Sequence, residues 1–98
     1  TNFTSSATTI MSFNATTYRS AEIFIQMTDT ANTEYAAMNG VVVHNGTTAF
    51  VTVLGITNTG STDLGTVTAE YDSGTVNVQA VSTGGVTAAK VQYSLVAA

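Results

Sequence analysis

The run YRSAEIFIQMTD, residues 18–29, sets Ala21, Ile23, Ile25 and Met27 against Ser20, Glu22, Phe24 and Gln26 in strict alternation. A period of two puts one set on each side of an extended chain, whereas a helix would scatter both sets around its axis. No segment of the chain sustains an apolar repeat at helical spacing. Even the best helix former, AEIFIQM, is too rich in β-branched residues and too regular in its alternation to be helical. Strands must therefore dominate, and each must bury one side against another layer.

Where the strands turn follows from which residues tolerate unusual backbone. The chain contains no proline, so glycine, asparagine and aspartate supply the turns. Asn45-Gly46, between VVVH and TTAFVTVLG, predicts a two-residue type I′ hairpin turn with positive φ at both positions. Ser73-Gly74 joins TVTAEYD to TVNVQAV, with Val67, Ala69 and Tyr71 facing one way to meet Val76, Val78 and Ala80. STGGV leads to a further hairpin, whose last run TAAKVQYSLV sets Ala89, Val91, Tyr93 and Leu95 on one face and Lys90, Gln92 and Ser94 on the other. ITNTGSTDLG reads as a loop crossing between sheets.

One segment resists this reading. EYAAMNGVVVH, residues 34–44, is apolar on both parities, as expected of a strand covered on two sides or interrupted by a bulge at Asn39-Gly40. The first eight residues, uniformly polar but for Phe3 and Ala7, read as an arm or linker, leaving residues 9–98 as a single domain. About seven strands with these turns predict an all-β fold: two antiparallel sheets packed as a sandwich of immunoglobulin-like proportions, with a small barrel as the alternative. Such a sandwich has edge strands, and a chain without proline and with few charges protects them weakly against pairing. Phe24 alone breaks the polar side of its strand and would be covered by the arm, a loop or a neighbouring subunit. Phe3, Phe13 and Phe24 are the interface candidates.

Composition excludes several classes of function. Charged residues make up 8% of the chain and hydrophobic ones 44%, which separates it from disordered segments. Arg19 and Lys90 are the only basic residues against six acids, so no cationic cluster exists to neutralise a run of phosphates, and nucleic acid and anionic membrane surfaces are not expected as partners. No apolar run approaches the roughly 20 residues of a membrane-crossing helix. The absence of cysteine removes disulfides, thiolate metal sites and thiol catalysis. Twenty residues are threonine, a type that fits a pleated surface with one wet face, and in so threonine-rich a chain the triplets at Asn2, Asn14 and Asn45 arise by chance as readily as they mark glycan acceptors.

The candidates for chemistry are few. A hydrolytic triad needs a base, and only His44 could serve, at a strand end beside a turn with no second histidine or cysteine to share a metal. Glu70 and Asp72, two apart on one strand, share a solvent face rather than the cleft a glycosidase pair requires. Calcium could draw on Asp29, Asp63 or Asp72, but no D-x-D-x-D-G spacing is present, and TGSTDLG and STGGV lack the lysine of a phosphate loop. Tyr18, Tyr35, Tyr71 and Tyr93 could stack on a sugar, although Tyr71 and Tyr93 fall on core parity. No cofactor or metal is expected.

Three segments taken together carry a resemblance: TTYRSAEIFIQMTD, VVVHNGTTAFVTVLG and TGSTDLGTVTAEYDSGTVNVQAV, in this order and spacing. They resemble a small β module of structural proteins of tailed bacteriophages, particularly marine phages infecting cyanobacteria and other ocean bacteria. The resemblance covers roughly residues 12–96 and rests on Tyr18-Arg19-Ser20-Ala21 opening a strand, the hairpin His44 to Ala49, and Leu64-Gly65-Thr66 leading into an alternating strand. AAMNG departs from the more regular alternation of the pattern. The resemblance implies a non-enzymatic virion part on the capsid surface (a decorating subunit) or in a tail or fibre, with other virion proteins as partners, a second copy as a further one, and no catalytic residues. The alternative is a carbohydrate- or receptor-binding module at a fibre tip, binding a host-surface glycan.

Overall fold

The computed structural model describes residues 1–98 as eight strands and no helix: β1 (Asn2–Phe3), β2 (Thr8–Asn14), β3 (Tyr18–Asp29), β4 (Glu34–His44), β5 (Ala49–Asn58), β6 (Gly65–Asp72), β7 (Thr75–Ser82) and β8 (Thr87–Ala97). They form two antiparallel sheets, one of five strands in the order β1-β8-β3-β4-β5 and one of three in the order β2-β7-β6. The fold is the expected β-sandwich, with one strand more than the seven expected. That strand is β1, whose Asn2 and Phe3 pair with Ala88 and Thr87.

β3 is the axis of the larger sheet. Its twelve residues, at about 3.3 Å each, reach about 40 Å, matching the long axis of a molecule measuring 40 × 23 × 16 Å. Ala21, Ile23, Ile25 and Met27 are all buried, as their alternation requires, and meet Val76, Val78 and Ala80 of β7 across the sandwich in one apolar cluster. β4 lies beside β3 with Ala36, Met38, Gly40, Val42 and His44 inward. The expected bulge falls between Asn39 and Gly40 in register, but the extra residue is Leu54 on β5: Asn39 pairs with Gly55 and Gly40 with Val53. Gly40 is required there, because a Cβ would sit 2.8 Å from the Thr52 carbonyl oxygen.

Four expectations change. Phe3 is 0% exposed, so the N-terminal residues expected to form an arm instead enter the core. Residues 1–4 are tied to both sheets: the Thr1 amino group donates to the Ala89 carbonyl, and the Ser82 amide donates to that of Thr4. Asn45-Gly46 is not a type I′ turn, since only Gly46 has positive φ. His44 and Ala49 close a four-residue loop, in which the Asn45 side-chain oxygen accepts from the amides of Thr47 and Thr48. The type I′ geometry appears at Ser73-Gly74, with φ of 50° and 87° between the paired Asp72 and Thr75. STGGV does not close a hairpin, because β7 and β8 lie in different sheets. There the buried Ser82 hydroxyl donates to the Gly85 carbonyl and meets the Thr87 hydroxyl at 3.1 Å, so both hydroxyls have partners at the crossing. Tyr93 lies 52% exposed despite its core parity, because three strands are too narrow to cover the flanks of five.

Truncating a fully buried aromatic side chain removes its transfer energy and leaves a cavity. Phe3→Ala is expected to lower the unfolding free energy by about 3–5 kcal/mol in urea titration; a dispensable arm would leave the midpoint unchanged.

Candidate functional site

His44, the one histidine, is 4% exposed and alternates with Val42 on the inner side of β4. Its ring lies between Phe13 of β2 and Tyr71 of β6, at centroid distances of 6.3 and 5.8 Å. The Gly46 amide donates to Nδ1 at 3.0 Å, so Nδ1 is an acceptor. The proton therefore resides on Nε2, which donates to the Tyr18 carbonyl at 2.8 Å. Both ring nitrogens are committed, leaving none to accept a proton from a nucleophile or to bind a metal. His44 closes the sandwich at this end, joining β4, the 45–48 loop, and the chain where β3 begins.

The acidic candidates are held apart. Asp29 accepts from the amide and side chain of Asn32, Asp63 from Asn58, Asp72 from Ser73, and Glu70 from Asn77, each within its own turn or hairpin. No three acids and histidines come together to hold a metal ion. The tyrosines do not share a face either: Tyr35 stands on the outer side of the large sheet, Tyr71 packs on His44, Tyr18 lies against the core, and Tyr93 lies at a flank. Two of the three interface candidates, Phe3 and Phe13, are core residues and present no ring to a partner, because both point into the seam between the sheets. Phe24 alone is exposed, at 48%.

The outer face of the five-stranded sheet holds what remains. Cross-strand register places Phe24 between Asn39 of β4 and Gln92 of β8. One step along, Glu22 lies between Ser94 and Val41, and Val41 faces Thr52 of β5. Beyond it Ser20 lies between Val96 and Val43, and Val43 faces Phe50. Two zones result. Phe24, Asn39, Gln92, Glu22 and Ser94 border an open depression of about 660 Å³. Beside it Val41, Val43 and Phe50, with Leu54 at the bulge, form an exposed apolar strip without a charged residue. Reading along the chain missed the strip because its strand is apolar on both parities; the second apolar set was itself the signal.

No family model matches the chain, and no curated protein does. Among solved structures, the tailspike protein of Acinetobacter phage vB_ApiP_P1 is similar, with a TM-score of 0.61 and 19% identity over 98% of this chain. The likeness is one of fold. The chain spans 20% of the tailspike chain's length.

His44→Ala would strip the Tyr18 carbonyl and Gly46 amide of their partner and empty the space between Phe13 and Tyr71. A loss of about 2–4 kcal/mol of stability by chemical denaturation is expected, whereas a histidine at an open strand end would cost almost nothing.

Proposed function

We propose that this chain is a non-enzymatic structural module of a bacteriophage tail or appendage, holding a neighbouring virion protein against the outer face of its five-stranded sheet. The observation that carries this reading is the uncharged strip of Val41, Val43 and Phe50 on a face otherwise expected to alternate toward water. Contiguous apolar surface of this kind marks interaction sites on folded proteins. The fold likeness to a tailspike segment favours the tail over the capsid surface. The commitment of both His44 nitrogens supports a non-catalytic role.

Immunogold labelling of intact particles with antibody against the chain tests the location: labelled tails are expected, and particles without label overturn the reading. The face is tested by Val41→Lys combined with Phe50→Glu. Both positions are exposed, so each change should shift stability by no more than about 0.5 kcal/mol, while affinity for the adjoining tail protein, measured by biolayer interferometry, falls at least tenfold.

A second reading is favoured by Phe24 and its polar border. An exposed ring offers the apolar side of a pyranose a flat contact, and Asn39, Gln92, Glu22 and Ser94 supply amide, carboxylate and hydroxyl groups that no other side chain engages. In calorimetric titration with host-surface polysaccharide, Phe24→Ala should abolish the binding heat of the unmodified chain. No heat from the unmodified chain would remove this reading.

A further inference from the structure

β5 is an edge strand of ten residues, AFVTVLGITN, carrying neither charge nor proline. One side pairs with β4; along Ala49 to Thr57 no loop or side chain hydrogen-bonds the other. Exposed edges are ordinarily blunted by charge, proline, shortness or a bulge. The remaining edges of this molecule have such protection. β1 has two residues, β2 is broken by a bulge between Thr9 and Met11, β6 bears Glu70 and Asp72, and the free side of β8 beyond β1 bears Lys90. β5 has only the bulge at Leu54, which leaves Ala49–Val53 as a regular stretch.

We propose that two copies of the chain associate as a closed two-fold pair by antiparallel hydrogen bonding of Ala49–Val53, joining their five-stranded sheets into one continuous sheet of ten. The occupant of the edge is a second copy because the strand complements itself: a two-fold axis through Val51 places Phe50 of each copy opposite Thr52 of the other and satisfies the free amides and carbonyls of both. The strand itself is free of charge: β5 holds no acid or base, and Glu22, the nearest acid on the outer face of its own sheet, lies two strands in, about 10 Å away by strand spacing. The acids beside the edge are Glu70 and Asp72 of β6, which packs against β5 without pairing with it.

A paired edge of five residues buries less than the roughly 800 Å² that each partner contributes to a standard stable interface, so the pair is a weak one, with a dissociation constant in the micromolar range. This inference stands apart from the tail reading, since it concerns the edge rather than the face and needs no virion protein.

Sedimentation velocity of the purified chain from about 1 µM to 1 mM, across the micromolar range expected for a modest interface, should show a transition from the monomer to twice its mass. The transition should persist when sodium chloride is raised from low to high concentration, because no ion pair contributes to it. Thr52→Lys places a charge on the edge and should weaken association at least tenfold, with an unchanged circular dichroism spectrum and melting temperature. Val51→Cys, in a chain without cysteine, should yield a single cross-linked dimer on mild oxidation, since the two thiols face each other at the axis. A chain that stays monomeric throughout, a dimer that Thr52→Lys leaves intact, or a dimer that Val51→Cys fails to cross-link would each overturn the proposal. So would an open series of larger species, the signature of β5 joining β8 head to tail.

Discussion

The contact between the inward row of β3 and the inward row of β7 supports everything else. Ile23, Ile25 and Met27 meet Val76 and Val78 in a seam that excludes water almost completely. Each such side chain contributes roughly 1.5–3 kcal/mol on burial, against a net stability of about 5–15 kcal/mol for a domain of this size. A handful of residues therefore decides whether the fold exists. β3 also carries β4 on one side and β8 on the other, so the seam positions most of the larger sheet. Phe3 closes one margin, lying close enough to Gly65 that a Cβ there would meet its ring at 3.0 Å.

The polar groups inside the sandwich are spent on holding its corners. His44 ties a loop and the start of β3 to the end of β4, and Ser82 with Thr87 ties the crossing from β7 to β8. A buried imidazole with both nitrogens engaged and a buried hydroxyl pair with its donors used rigidify a fold, because leaving any of these groups unpaired away from water is costly. What is left for interaction is the outer face of the large sheet and its β5 edge. They adjoin, and they differ in character: polar atoms around one aromatic ring at Phe24, apolar side chains toward Phe50, and unpaired main chain along the edge.

Much of this was legible in the residues. The alternation over 20–27 identified the buried side of β3, and Ser73-Gly74 marked the turn between β6 and β7, although its type I′ geometry came from the structure. Other features were hidden for identifiable reasons. The side of β4 that faces inward cannot be read from EYAAMNGVVVH, where either parity would make a core; contact with β3 selects Met38 and Val42. Phe3 sits in a polar context, TNFTSS, and its burial depends on strands more than sixty residues away. At Asn45 the side chain competes with the backbone, satisfying the loop amides itself and so removing the need for positive φ at that position.

By itself the sequence determined that the chain is all-β, since period-two alternation and the glycine and asparagine turns are local properties of extended backbone; that the strands part into two sheets rather than closing a barrel was decided by the tertiary structure. It also determined what the protein lacks: cationic clusters, thiols and a second histidine. Only the tertiary structure decided which exposed residues form a surface, which edge is bare, and whether His44 is free or committed. Those outcomes depend on register and on the unequal width of two sheets. Both arise from contacts between residues far apart in the chain, and no local pattern records them.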